Sequence, residues 1–295
     1  MTGSGVPLEA GDTVAMRVRL HHEPDTFSAA ADPFFLSDPF SANVIAVVLA
    51  RVAAGDPIGG PNRLWATVED DDGAVLGVAM HTPPHALFVS RMPDEAAEAL
   101  ADALVDAERE LPGVNGACES TTAFAAVWSG QTGQTSTIVT ATRMYRLEEL
   151  RRPRNVPGEG NLATVHSDVE LVSGWVASFH DEARPNAPHD PWVMFERRIA
   201  AGQVHLWRDR GTAVSMAAVS TASTGVARVG PVYTPASARR SGYGAAVTAE
   251  ATAAAIAAGA QHVVLYTDRA NPTSNSIYRA IGYRPHHDAE ERSFQ

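Results

Sequence analysis

The chain contains 295 residues, a length typical of two domains or of one large one. Its 34 acidic and 23 basic residues give a formal net charge of −11, which argues against nucleic-acid binding because such binding requires a basic face. The single cysteine, Cys118, excludes an internal disulfide and a cysteine-based zinc site. The sequence shows neither a transmembrane run nor a secretory signal, so we expect no membrane partner and a cytoplasmic location.

The first half of the chain predicts short strands and helices from residue 64 onward. Two strands at 64–68 and 74–80 flank the turn 70–73, whose sequence Asp-Asp-Asp-Gly is typical of a hairpin. The remaining elements predicted in this half are a strand at 86–90, a helix at 94–109, a strand near 114–118, a helical stretch at 121–129 and a β-rich run at 136–145.

A segment near the midpoint of the chain, residues 151–161, has neither a helical nor a strand period. It contains three arginines, two prolines and two glycines. Such a composition is typical of a linker. We therefore predict a first domain at 1–150 and a second at 162–295.

The second half gives clearer patterns. Apolar residues at close to a 3.6-residue period predict a helix at 167–183. An alanine-rich helix at 241–258 is followed by Gly259, which suits the position just after a helix. Asn271 and Pro272 match the preferred first residues of the helix that runs to 281. The other predicted elements are a helix at 192–201, strands at 204–207, 213–219, 227–234 and 262–267, and a final strand. This order loosely repeats that of the first half, which predicts two domains of one architecture.

Residues 229–244 carry the first chemical signal, a strand that leads through a glycine-containing turn into a helix. Free N–H groups at a helix N-terminus attract an anion, and Gly242 and Gly244 allow it to approach the backbone closely. Arg239 and Arg240 add positive charge. The segment therefore predicts a phosphate or pyrophosphate site, although it is neither a Walker loop nor a complete dinucleotide-binding fingerprint.

Residues 266–283 carry the second signal, a strand followed by a short polar helix. Ile277 and Ile281 are four residues apart and form its packing face. Asn271, Asn275 and Tyr278 are spaced four and three residues apart, so they share another face.

Together these segments resemble the GCN5-related N-acetyltransferase (GNAT) superfamily. Val232-Tyr233-Thr234-Pro235 looks like the end of its splayed fourth strand, and Arg239-Arg240-Ser241-Gly242-Tyr243-Gly244 matches its pyrophosphate loop. Asn271-Pro272-x-x-Asn275-x-x-Tyr278-x-x-x-Gly282-Tyr283 looks like its last motif. The close match covers about 227–284. The resemblance implies an α/β (α+β) fold of two tandem GNAT-like domains, each a mixed, mostly antiparallel sheet flanked by helices.

The resemblance also implies roles for these residues around acetyl-CoA, with no metal. Amides of 240–245 would hold the pyrophosphate, and the main chain of 232–234 would pair with the pantetheine arm and polarise the thioester carbonyl. Tyr278 would protonate the leaving thiolate as general acid. The residues expected to bind the co-substrate are Val232, Tyr233, Thr234, Arg239, Arg240, Ser241, Gly242, Tyr243, Gly244, Ala245, Asn271 and Asn275.

The base that deprotonates the amine is less defined, and Glu182, Asp190 and Glu196 are the candidates. In the first half, the segment comparable to the phosphate loop, 91–97, has no glycine and carries Asp94 and Glu95 where a phosphate would bind. We therefore expect that half to be a degenerate domain that binds no CoA and shapes the acceptor pocket instead.

The resulting hypothesis is an acetyl-CoA-dependent N-acetyltransferase in which a primary amine of a small molecule attacks directly in a ternary complex. One alternative is a mycothiol-synthase-like enzyme that acetylates a cysteinyl pseudo-disaccharide. The other is a non-catalytic acyl-CoA sensor that retained the fold. The sequence leaves the acceptor and the oligomeric state open.

Overall fold

A single sheet of twelve strands runs through the part of the chain that our computed structural model describes, residues 16–183 and 191–295. The first half supplies β1 (Arg17–His21), α1 (Pro24–Ser37), α2 (Asn43–Ala53), β2 (Leu64–Glu69), β3 (Val75–His81), β4 (Leu87–Val89), α3 (Asp94–Asp106), β5 (Gly113–Ala117), α4 (Cys118–Thr132) and β6 (Ser136–Leu147). The second half supplies β7 (Glu159–Leu162), α5 (Val165–Ala183), α6 (Pro191–Ala200), β8 (Val204–Asp209), β9 (Thr212–Val219), β10 (Val226–Tyr233), α7 (Tyr243–Ala257), β11 (His262–Asp268), α8 (Pro272–Ala280) and β12 (Tyr283–Phe294).

The two halves repeat one order of elements, β-α-α-β-β-β-α-β-α-β. Among the described strands, the β4–β5 and β10–β11 ladders are parallel and the others are antiparallel. Separate apolar clusters lie under the α1–α2, α3–α4, α5–α6 and α7–α8 pairs, so helices cover both faces of the sheet. The predicted fold class, a mixed and mostly antiparallel sheet flanked by helices, is confirmed.

The last strand of each half pairs with a strand of the other half, so the two halves exchange these strands. The strand order is β1-β2-β3-β4-β5-β12-β6-β11-β10-β9-β8-β7. Strand β12 pairs with β5 of the first half, with Ala289 opposite Ala117. Strand β6 pairs with β11 of the second half, with Tyr145 opposite Leu265. The middle of the sheet, β5-β12-β6-β11, therefore alternates strands from the two halves.

The predicted linker 151–161 is wrong at its C-terminal end, because 159–161 belong to strand β7. Gly160 lies opposite Trp207 in an antiparallel ladder with β8 at the edge of the sheet. Glu159 and Asn161 are exposed, so the strand has no apolar alternation that the sequence could have shown. Residues 151–158 dock on the second half, where Trp207 Nε1 donates to the Pro157 carbonyl at 2.7 Å.

Elements β1, α1 and α2 precede residue 64 and had no counterpart in the sequence prediction. Helix α2 is apolar on almost every side, so it lacks the polar face that marks an amphipathic helix. It lies against the second half, where Asn43 Nδ2 donates to the Tyr266 hydroxyl at 3.0 Å. Ser223 Oγ donates to the Ala46 carbonyl at 3.1 Å. The first half thus covers one face of β10 and β11.

Two further observations concern the described parts of the chain. None of their helices is long and apolar enough to cross a lipid bilayer. They also contain no group of three or more His, Cys, Asp or Glu side chains that could hold a metal ion. The lone thiol, Cys118, is a poor nucleophile, because burial and the nearby Glu290 carboxylate raise its pKa to about 11.

Candidate active site

Strands β10 and β11 separate partway along their length. Their parallel ladder runs from Val226 opposite His262 to Val229 opposite Leu265 and ends there. Past a register shift, β10 stays paired only with β9 on its other side. The edge of β10 that faces β11 is therefore open beyond Val229, and an extended ligand could pair with its main chain there.

Helix α7 begins close to this gap. Gly242 caps it with a φ of +83°, a left-handed conformation that favours glycine. The first intrahelical bond runs from the Ala246 amide to the Gly242 carbonyl at 3.0 Å, so the preceding amides lie beyond the helical ladder and are available to an anion. A Cβ at Gly244 would lie 3.3 Å from Thr234 Oγ1, so glycine lets the helix approach the end of the strand. The predicted strand–turn–helix geometry is present.

Four of the predicted site residues, Glu182, Tyr233, Thr234 and Arg239, form one polar cluster at the end of β10. Arg239 Nη2 donates to the two Glu182 carboxylate oxygens at 2.9 and 2.7 Å. Tyr233 Oη donates to Glu182 Oε1 at 3.2 Å, and Arg239 Nε donates to the Thr234 carbonyl at 2.9 Å. Glu182 thus connects helix α5 to strand β10 and to the loop before α7.

The two predicted asparagines fix the start of α8. Asn271 Oδ1 accepts from the Ser274 amide at 3.0 Å as an N-cap. Asn275 Nδ2 donates to the Asn271 carbonyl at 2.7 Å, and its Oδ1 accepts from the Tyr145 hydroxyl at 2.7 Å. Tyr145 was not among the predicted residues, because it lies on β6 and the pattern of that strand does not indicate that it pairs with β11.

Tyr278 lies one turn further along α8. Its side chain belongs to the same buried cluster as Val229 and Leu265, the last pair before the gap. Its hydroxyl forms no hydrogen bond with the described residues, and burial raises its pKa to about 12. At neutral pH it is therefore a protonated phenol that is free to donate.

The other predicted residues have varied surroundings. Tyr243 Oη donates to Asp209 at 2.8 Å and anchors α7 to the end of β8. Ala245 packs against the buried cluster under α7, and Ser241 and Arg240 are exposed. Glu196 is exposed on α6, whereas Asp190 lies outside the described residues. No hydrogen bond among the described residues joins the Glu182 cluster to Tyr278.

Comparisons with known proteins agree with this geometry. Residues 208–293 match the family model of FR47-like proteins. A GCN5-related N-acetyltransferase from Sphaerobacter thermophilus superposes with a TM-score of 0.60 at 16% identity, covering 95% of each chain. A GNAT-family acetyltransferase from Colwellia psychrerythraea gives a TM-score of 0.58 at 10% identity and covers 95% of this chain and 100% of its own. The chain therefore has the fold of the GNAT acetyltransferases.

A tandem GNAT protein from the clavulanic acid biosynthesis pathway is also similar. Its TM-score is 0.55 at 11% identity, with coverage of 95% of this chain and 98% of its own. The similarity therefore spans both halves and not only the part that the family model matches. Comparison of the sequence with curated proteins gave no match.

The first half of the chain has a different segment at the position comparable to the predicted phosphate loop. Strand β4 passes to α3 through residues 90–93 alone. Ser120 Oγ accepts from the Met92 amide at 3.0 Å and donates to its carbonyl at 3.2 Å, and both residues are buried. Asp94 and Glu95 occupy the first turn of α3. The main chain here is already bonded, and the helix start already carries negative charge.

Proposed function

We propose that this protein transfers an acetyl group from acetyl-CoA to a primary amine, with the reacting site in the second half. The observation that carries the proposal is the end of the β10–β11 ladder at Val229 and Leu265, beside the open N-terminus of α7. The unpaired edge of β10 can pair with an extended ligand, and the amides at the start of α7 can bind an anion. Acetyl-CoA has an extended pantetheine arm and a pyrophosphate.

The residues present fit this co-substrate. The amides of 240–245, with Arg239 and Arg240, would hold the pyrophosphate, and the main chain of 232–234 would pair with the pantetheine arm. One N–H of that strand would polarise the thioester carbonyl. The local bonds of Asn271 and Asn275 support a positioning role besides the predicted contact with pantetheine, because they fix the helix that carries Tyr278.

Tyr278 is proposed as the proton donor to the leaving thiolate. Its hydroxyl forms no hydrogen bond with a described residue, and burial raises its pKa, so it stays protonated. A protein that only senses acyl-CoA has no use for such a donor. Glu182 remains the predicted base, but its carboxylate is bound by Arg239 and Tyr233. It could accept a proton only if Arg239 turned from it, for example toward the pyrophosphate.

The first half is proposed to bind no CoA. The short 90–93 segment, the Ser120–Met92 bonds and the acidic first turn of α3 support this. Its function would be to cover the acceptor side of β10 through α2 and to supply Tyr145.

The experiment is an assay of acetyl-CoA-dependent thiol release with a panel of small primary amines. The proposed function predicts turnover with at least one amine and formation of the matching amide, detected by mass spectrometry. Binding of acetyl-CoA without turnover of any amine would instead support a non-catalytic acyl-CoA-binding protein. Absence of acetyl-CoA binding would contradict both.

A further inference from the structure

Three arginine side chains from both halves approach one another on one face of β10. Ala227 and Val229 pack into the cluster under α7, so Arg228 between them lies on the opposite face. Helix α2, which carries Arg51, contacts β10, and Arg198 of α6 donates to the Gly230 carbonyl at 3.4 Å. Arg198 thus reaches β10 two residues from Arg228, so the two side chains lie beside the same stretch of the strand. Burial, followed by the charges of Arg228 and Arg51, lowers the pKa of Arg198 to about 9.

The described carboxylates near this face are already engaged. Asp56 accepts from Arg51 Nε at 2.8 Å and from Arg197 Nη1 at 2.6 Å. Asp38 accepts from the amides of Phe40 and Ser41. Neither therefore offers a free carboxylate to Arg198 or Arg228.

Arg198 and Arg228 form no ion pair with a described residue. The nearest acceptor of the Arg198 guanidinium is the Gly230 carbonyl at 3.4 Å, and the group lies 5.0 Å over the Phe195 ring. Both arginines are partly accessible to solvent, although burial lowers the pKa of each. Neither side chain is therefore fully sealed inside the protein. A cation held deep in a protein without an anion is costly, so an anion from outside would stabilise this arrangement.

The position of the two arginines separates this anion from the phosphates of CoA. Arg228 precedes the last β10–β11 pair, whereas the pyrophosphate loop follows the end of the strand. At a rise of about 3.3 Å per residue, Arg228 and Tyr233 are roughly 16 Å apart along the strand. Arg198 contacts Gly230, the first residue past that pair, where the gap opens. The two arginines therefore lie on the acceptor side of the proposed reacting end.

We infer that the acceptor amine carries a carboxylate or phosphate group, which Arg198 and Arg228 bind while the amine faces the gap between β10 and β11. The inference rests on the proposed acetyl transfer and names the class of its acceptor. Arginine suits both anions, because its planar guanidinium donates two parallel hydrogen bonds to either one.

The test uses product analogues and the CoA-loaded full-length protein, with calorimetry as the readout. N-acetyl-L-amino acids with small, apolar and polar side chains are compared with the corresponding uncharged N-acetyl amides. In the same way, N-acetylphosphoethanolamine is compared with the uncharged N-acetylethanolamine to test a phosphate. The anionic member of at least one pair is expected to bind about tenfold or more tightly, because hydrogen bonds to charged groups are stronger than those between neutral groups. The pair that shows the preference identifies the anion.

Variants then test whether the two arginines cause the preference for the anionic analogue. Arg228→Met should remove the preference, and Arg228→Lys should retain part of it. Arg17→Met, on the outer strand β1, is the matched control and should change nothing. Thermal unfolding checks that each variant folds. Should Arg228→Met fail to fold, Arg198→Met serves in its place.

The outcomes separate the inference from the proposed function. If the wild type does not bind acetyl-CoA, the proposed function is contradicted. Acetyl-CoA binding with equal or no binding of both members of every pair would contradict the inference alone. A preference that survives both Arg228→Met and Arg198→Met would place the anion elsewhere and also overturn it.

Discussion

The two halves of the chain share one order of elements but differ in the segment between the fourth strand and the following helix. In the first half that segment is residues 90–93 and leads into an acidic helix start. In the second half it is residues 234–242, and a left-handed glycine caps a helix start without acidic residues. The shared fold therefore does not decide whether a helix N-terminus is open to an anion. The few residues at that N-terminus decide it.

The halves also differ in the side chains that each gains from the strand of the other half. The second half receives β6, and with it the Tyr145 hydroxyl that bonds Asn275. The first half receives β12, whose Phe294 packs against Phe124 and Trp128. The first half thus contributes a side chain to the candidate site of the second half.

The largest expected effect is that of Tyr278→Phe, which removes the proposed proton donor. We expect kcat to fall by about 10²–10⁴-fold, because general acid catalysis contributes about that much. Acetyl-CoA affinity should stay within about twofold of the wild type, since no contact of the hydroxyl with the described residues is lost. Steady-state kinetics and calorimetry measure the two quantities. An unchanged kcat would remove Tyr278 from the mechanism.

Tyr145→Phe tests the contribution of the first half to the site. The change leaves Asn275 Oδ1 without its hydrogen bond, a loss of about 1 kcal/mol, and we expect kcat/KM to fall about fivefold. Tyr283→Phe is the matched control, because it removes another buried hydroxyl, 2.6 Å from Thr252 Oγ1. Both variants should lose similar stability in urea unfolding. Equal losses of kcat/KM would show that the Tyr145–Asn275 bond has no special function.

The smallest expected effect is on stability and concerns His81 at the end of β3. Its side chain is buried, and burial followed by the Arg109 charge lowers its pKa to about 4. The unfolded chain binds this proton near pH 6.5 and the folded chain only near pH 4. Stability is therefore full above pH 6.5 and falls toward pH 4, by up to about 3 kcal/mol.

Urea unfolding at pH 7.5, 5.5 and 4.5 measures this dependence. His81→Gln should reduce the slope between pH 6.5 and 4. His166→Gln, at an exposed position on α5, should leave it unchanged. A slope that persists in His81→Gln would assign the acid sensitivity to other groups.

Local signals explain what could be predicted from the sequence. Asn271 caps α8, as its residue type and the following proline indicated. Gly259 follows α7 with a φ of +93°, as its position after an alanine-rich run indicated. The loop 239–244 was found for the same reason, because its glycines and arginines are adjacent in the chain.

Long-range pairing explains what could not be predicted. The exchange of β6 and β12 depends on which strand pairs with which across more than a hundred residues, and neither strand's own pattern records its partner. Arg228 belongs to no local motif. Only the packing of α2 and α6 on β10 brings Arg51 and Arg198 toward it.

The most direct test of the account is the number of acetyl-CoA molecules bound per chain, measured by isothermal titration of the wild type and of two matched variants. Ser241→Glu places a carboxylate at the start of α7, where it favours the helix but repels a pyrophosphate. Arg91→Glu makes a comparable change in the 90–93 segment. We predict one site per chain, weakened about tenfold or more by Ser241→Glu and unaffected by Arg91→Glu. Two sites, or a single site that only Arg91→Glu weakens, would contradict the account.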